Sequence, residues 1–265
     1  MHILKILLII NMNKPKIDYY GICFNDAGMI QFVYQLYKNI VDNFYFYINV
    51  GNTDNSIDII KSLPNCHYQL FSPDILDALV IQKVRNSIWK DSIGKADFVI
   101  CCEPDEFIWS DDFLNDIIQM QNNGETVALT DGYQMINIED PIDNGFPTLN
   151  DKTIVERYQH GVFDPKFCKR LLWNCNEISD MKMDVGGHFA YPEGNVKYST
   201  KKFYTLHYKY LSYKYLSARH KLFGTRLSQS DLAHGWDCHY LFSEDHLINE
   251  FNTLKNNCIV VPCFK

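Results

Sequence analysis

"ADFVICCEPDEFIW", residues Ala96 to Trp109, decides how this chain is read. The apolar run from Phe98 to Cys102 meets an acidic cluster of Glu103, Asp105 and Glu106. A short unbroken apolar run is a strand buried on both faces, which is how strands of parallel sheets read. Ligands of open α/β sheets gather at the carboxyl ends of such strands. The cluster therefore sits where chemistry is expected.

The flanking pattern agrees with an α/β sheet. "IDYYGICF" (Ile17–Phe24) reads as a strand, and Asn25 and Asp26 are placed to cap a helix whose apolar face holds Met29, Ile30, Val33, Leu36, Tyr37 and Ile40. "NFYFYINV" (Asn43–Val50) is a second strand, and "NSIDIIKSL" a short helix stopped by Pro64. "CHYQLF" is a third strand, and Pro73 and Asp74 are expected to open a helix reaching Ile93. A helix over Asp111–Gln121 and a strand over Glu125–Thr130 follow. This alternation argues for a sheet with a parallel core. Pro141, Asn144, Gly145 and Pro147 mark a loop or boundary, and the chain is expected to be helical from Tyr208 to about Leu227. The tail "CIVVPCFK" is expected to end in a strand.

The chain has 265 residues, 46% hydrophobic and 22% charged, enough for one large domain with a substantial core. A formal net charge of -7 argues against general binding to nucleic acid or an anionic membrane. The nine cysteines include no CxxC pair, so they read as buried thiols of a reducing compartment. The apolar start "MHILKILLII" is too short to span a bilayer and reads as an added strand or loose segment. A soluble cytoplasmic protein without a transmembrane anchor is the expectation.

Two clusters fall at strand ends. In extended geometry Glu103 and Asp105 would lie on one side of the chain, close enough to repel unless a cation sits between them. A hard divalent ion such as Mg2+ or Mn2+, completed by diphosphate oxygens, fits that description. A solvated acidic turn is the other reading. Residues Asn49 to Ser56, "NVGNTDNS", carry turn chemistry, and Asp54 is also placed to cap the helix that follows.

"NVGNTDNS" resembles the "DNGSTDxS" turn of family 2-like glycosyltransferases with the GT-A fold. "RNSIWKDSIGKADFVICCEPDEFIW" (Arg85–Trp109) resembles their "RN…W…ADW(V/I)…DxDEF" stretch. "DGYQM" (Asp131–Met135), "FDPKFCKRLLW" (Phe163–Trp173), "GGHFAYPEG" (Gly186–Gly194), "LHYKYLSYKYLSARHKLFGTRLS" (Leu206–Ser228) and "HGWDCHY" (His234–Tyr240) resemble a bacterial-type branch with GxH and LLHYK elements. The likeness spans about Tyr19 to Tyr240. Glu103 stands where the family's DxD motif has its first Asp, and Asn49 where its turn has Asp.

The resemblance implies a GT-A-like mixed sheet flanked by helices. Residues 1–15 form an N-terminal apolar segment, 16–205 the transferase domain and 206–265 a C-terminal helical extension. It implies transfer of a sugar from a UDP-, GDP- or dTDP-sugar to a hydroxyl of a glycan, lipid or protein acceptor, inverting the anomeric centre. Mn2+ or Mg2+ would be held by Glu103, Asp105 and His207, with His188 competing for the last place. Asn25, Asn49, Asp54, Arg85 and Glu103 would bind the nucleotide-sugar. The base would come from His188, Asp184, Glu193 or Asp131, with His188 and Asp184 preferred.

Tyr210, Tyr213, Leu216, His220 and Phe223 have the spacing of a packing face, with Lys209 and Arg219 beside them free to meet phosphate. His220, His234 and His246 are assigned no functional role, and His239 is left open. Two other functions compete. A sugar nucleotidyltransferase needs a Gly-rich phosphate loop that "GICFNDAG" lacks. A non-catalytic carbohydrate-binding or nucleotide-sugar-binding protein of the same fold would show no metal-dependent nucleotide site.

Overall fold

The computed structural model describes residues 14–73, 75–139 and 146–265. The N-terminal apolar run, Asp74, and Pro141, Asn144 and Gly145 lie outside the described residues, apart from 14–15 of the expected N-terminal segment.

The molecule is α/β, with a mixed, largely parallel central sheet flanked by helices. Strands β1 (Ile17–Cys23), β2 (Asn43–Asn49), β3 (Cys66–Phe71) and β4 (Phe98–Cys102) run parallel in the order β4-β1-β2-β3. The crossovers leave β1 in opposite directions, to β2 on one side and eventually to β4 on the other. The carboxyl ends of β1 and β4 therefore flank a topological switch point.

β5 (Glu106–Trp109) turns back from β4. β6 (Val127–Ile136), β7 (His160–Phe163), β8 (Leu172–Asn174) and the final β12 (Ile259–Val260) extend the sheet beyond β4. β9 (Ile178–Asp180) and β10 (Glu193–Gly194) form a separate ribbon, and β11 (Tyr198–Tyr210) pairs with β5 and β6.

β4 shows why its sequence folds as it does. Phe98, Ile100 and Cys102 face one core with Tyr19, Val33 and Phe107; Val99 and Cys101 face the other with Trp89, Trp173 and Met181. An unbroken apolar run serves both faces of a covered strand. The sequence-based expectation of a buried Cys101 and Cys102 holds.

The helices are α1 (Ala27–Tyr37), α2 (Ser56–Ser62), α3 (Ala78–Ser87), α4 (Phe113–Asn123), α5 (Ile154–Arg157), α6 (Tyr213–Gly224), α7 (Gln229–His234) and α8 (Glu244–Asn257). Among the described residues no helix is long and apolar enough to cross a membrane.

Three local expectations need correction. Neither Asn25 nor Asp26 caps α1; the Ala27 amide instead donates to the Asp54 carboxylate at 2.9 Å. α3 begins at Ala78, because Leu76 is tied in extended form to Arg226 and Ser228 and the Asp77 carboxylate caps the Leu79 and Val80 amides. Residues 208–210 are strand: Tyr210 pairs with Ile136, and Ser212 then caps α6 through the Tyr215 amide. The expected division at 205/206 thus falls inside β11, and His207 belongs to the sheet.

Candidate functional site

The acidic cluster is a turn. The Glu106 amide donates to the Glu103 carbonyl at 3.0 Å, so Glu103 and Asp105 do not alternate along an extended strand as expected. Glu103 turns to Arg85, at 2.5 Å, while Asp105 faces His207 Nε2 at 3.5 Å. Glu106 points into the core, where it pairs with Lys169.

Burial pushes the Glu103 carboxyl up to about 7 against the pull of Arg85. Two-fifths of its side chain stays open to the cleft, and water there moderates the rise. Burial also works against ionisation of Asp105, but His207, Arg219 and Lys169 together outweigh it and hold that carboxyl below its ordinary range.

β11 brings His207 to this point. His207 pairs with Glu106 of β5, and the Tyr208 amide donates to the Asp105 carbonyl at 2.8 Å, clamping the turn. His207 Nδ1 lies 2.7 Å from Gln134 Oε1, and Gln134 Nε2 donates to Asp164 at 3.1 Å. With Nδ1 donating to the amide oxygen, Nε2 is the nitrogen turned toward Asp105 and the cleft.

Phe167 stacks on the imidazole at 4.3 Å between ring centres. Gly132 allows that approach: a Cβ there would stand 2.2 Å from the Phe167 carbonyl carbon.

Asp105 and His207 offer one oxygen and one imidazole nitrogen to a cation. Two ligands at right angles on a Mg2+-sized ion stand roughly 3 Å apart, so this pair fits after a small approach. Glu103 would first have to leave Arg85. Among the described residues no three His, Cys, Asp or Glu side chains already converge on one point. The remaining ligands would be waters and substrate oxygens, as is usual for Mg2+.

Arg85 is the best-placed cation. It is 3% exposed, and its Nη1 has no hydrogen-bond partner among the described residues. Gly187 packs against it, where a Cβ would come within 3.1 Å of the Arg85 side chain, and Gly186 and Gly187 both adopt positive φ. Lys169 holds the same loop through the Gly186 carbonyl at 2.8 Å.

His188 follows, with Nδ1 2.9 Å from the Lys166 carbonyl. A carbonyl only accepts, so Nδ1 carries the proton and Nε2 the lone pair. Burial, then Lys169, lowers its pKa, which favours the neutral base.

Asp184, by contrast, accepts from the Phe189 amide and closes the loop without lining the cleft. Glu193 pairs with Lys182 on the surface, and Asp131 with Lys202.

The turn after β2 is mostly occupied with its own structure. Asp54 accepts from the Ser56 amide and hydroxyl as well as from Ala27. Asn25, at φ 52°, bonds Thr53 and Asp54 through its amide. Neither lines the cleft, whereas Asn49 does, holding the Pro73 carbonyl and accepting from Arg226.

Two compartments, of about 90 and 430 Å3, meet at Glu103, Asp105, Arg219 and Tyr240. The smaller receives the ends of all four parallel strands: Ile22 to Phe24, Asn49, Phe71 and Glu103 to Asp105. Arg219 pairs with buried Asp26 at 2.7 Å, and Arg226 lies over the Phe24 ring.

Sequence reasoning gave no individual role to Lys169, Gln134 or Arg226, and read Asp26 only as a helix cap. Lys169 lay within a quoted motif, but its partner Glu106 is 63 residues away. Arg226 and Asn49 are 177 apart, beyond any local signal.

No model of a known protein family matches the chain, and no curated protein matches it in sequence.

Proposed function

We propose that the chain is a metal-dependent glycosyltransferase of GT-A type, moving a sugar from a nucleoside diphosphate to an acceptor hydroxyl with inversion. The observation that carries this reading is the cleft at the switch point, where Asp105 and His207 Nε2 face each other near Arg85, whose Nη1 has no partner among the described residues. A diphosphate is the ligand that suits a cation site and a guanidinium together.

Asp105 and His207 would hold Mn2+ or Mg2+, which when bound supplies Lewis-acid stabilisation of the departing diphosphate. Arg85 Nη1 donates to a phosphate oxygen. Asn49 and Phe71 flank the nucleoside end. The smaller compartment, about 90 Å3, is too tight for a nucleoside, so Leu76 and Arg226 must part on entry.

The acceptor occupies the larger compartment, whose volume is that of ordinary ligand sites. His188 Nε2 takes the proton of the acceptor hydroxyl. That oxygen bonds to the anomeric carbon as the bond to the diphosphate breaks, and the diphosphate leaves with the electron pair. Lys169 and the paired glycines hold His188 in place.

Thermal shift with UDP, GDP and dTDP, with and without Mn2+, tests the reading. One nucleotide should raise Tm only with the metal, because saturation near 100 times Kd stabilises by about 2.7 kcal/mol. No metal-dependent shift with any of them would leave a binding protein without a nucleotide site.

A further inference from the structure

The larger compartment extends away from the acidic turn to a floor made by α6, β11 and residues 237–242. His220 on α6 forms part of this floor, although its spacing assigned it to packing. It is 2% exposed, and neither ring nitrogen has a hydrogen-bond partner among the described residues. Burial, with Lys209 next, pushes this imidazole down to about 3, so it is neutral; the His239 backbone draws on one ring nitrogen without reaching hydrogen-bond geometry, and neither nitrogen has a full partner among the described residues. Buried polar atoms in native proteins nearly always find partners, so an orphaned pair lining a cavity points to a missing one.

Lys209, on β11, lines the same end. Its ammonium lies 5.6 Å from the Tyr210 ring centre and 5.9 Å from that of Tyr240, and no carboxylate comes within the 4.0 Å of an ion pair among the described residues. The acids nearby are otherwise engaged. Glu250 accepts the Tyr210 hydroxyl at 2.9 Å, and Asp105 faces His207. Burial and Asp231 push the Asp237 carboxyl up, toward its neutral form. His239, 5.7 Å from His220 between ring centres, is likewise neutral, its pKa lowered to about 3 by burial and Lys209. Glu250 and Asp105 attract Lys209 without touching it, and a cation with no contact partner among the described residues, beside two neutral imidazoles, is a place for an anion.

We infer that this end of the compartment binds an anionic group, a carboxylate or a phosphate, carried by the acceptor. The inference rests on the reading of the larger compartment as the acceptor site and adds the acceptor's chemical class. Lys209 pairs with one oxygen of the anion and the His220 N–H donates to another. Phe242, 44% exposed at the rim, offers a face for the sugar ring that carries the group.

Methyl glucoside, its uronate and its 6-phosphate share a ring and differ in charge. Their binding to the full chain by isothermal titration, for wild type, Lys209→Met, Lys209→Arg and His220→Phe, is the experiment. Circular dichroism and melting of each variant report folding.

At least one charged probe should bind roughly tenfold more tightly than the neutral glucoside. The one that does identifies the anion as carboxylate or phosphate. Lys209→Met should erase the preference, Lys209→Arg should keep it, and His220→Phe should weaken it. Equal or undetectable binding of all three probes, or a preference that survives Lys209→Met, overturns the inference. Metal-dependent UDP binding by wild type, measured alongside, separates that failure from failure of the transferase reading.

Discussion

Lys169→Met would test whether the buried pair under the acidic turn supports the site. Lys169 and Glu106 are each only 4% exposed in their side chains, so the substitution strands a carboxylate in the core. Breaking a buried pair from one side costs about 3–5 kcal/mol, most of it the penalty of the charge left behind. The Gly186 carbonyl also loses its donor, adding about 1 kcal/mol.

Urea denaturation followed by tryptophan fluorescence should register the full loss, with Tm falling by roughly 10 °C. The double variant Glu106→Gln/Lys169→Met removes the stranded charge and should recover most of the stability. It should stay about 1 kcal/mol short, because Gly186 remains unserved. A single variant within about 1 kcal/mol of wild type, or a double variant no better than the single, would refute the reasoning.

Gly132→Ala should push the Phe167 backbone off β6, cost about 1–3 kcal/mol and weaken metal-dependent nucleotide binding by loosening His207; unchanged affinity by titration would mean Phe167 does not position that ring. Burial, opposed by Arg219, raises the Asp26 carboxyl from 3.8 to about 6, so in that window the native state keeps a proton the unfolded chain releases. Its contribution is therefore present below pH 3.8 and lost by about pH 6, and Asp26→Asn should flatten the stability curve there by up to roughly 3 kcal/mol in pH-resolved denaturation. Cys101 and Cys102 are 1% and 2% exposed with thiols pushed up by burial, so a bulky thiol reagent should label neither in the native protein; rapid labelling seen by peptide mapping would contradict their place in β4.

What was legible in the sequence was legible for local reasons. The run from Phe98 to Cys102 is apolar at every position, which leaves only a strand covered on both faces. Asp54 stands just ahead of the second helix, which made a bond to that helix's opening residue readable, although Asn55 occupies the cap position itself. The reach of the same carboxylate to Ala27 was not, since the contact depends on how β1 and β2 pair.

The acidic cluster misled because Pro104 between two carboxylates reads as extended chain. The turn forms because Lys169, far away in sequence, draws Glu106 inward, and β11 clamps the Asp105 carbonyl. The stretch from Tyr204 to Tyr213 is dense in aromatics and satisfies both a two-residue and a helical period. Pairing of Tyr210 with Ile136 decides for strand, which puts His207 beside Asp105.

The central claim is that Asp105 and His207 hold a divalent ion that holds a nucleoside diphosphate. Titration of UDP and dTDP in the presence of Mn2+, into wild type and Asp105→Asn, tests it most directly. Asparagine keeps the shape and removes the charge, so the variant should fold. Its metal-dependent affinity should fall by about 1.5–3 kcal/mol, and EDTA should abolish wild-type binding while changing little in the variant. Equal affinities with equal indifference to EDTA would make the cluster a solvated acidic turn and contradict the account.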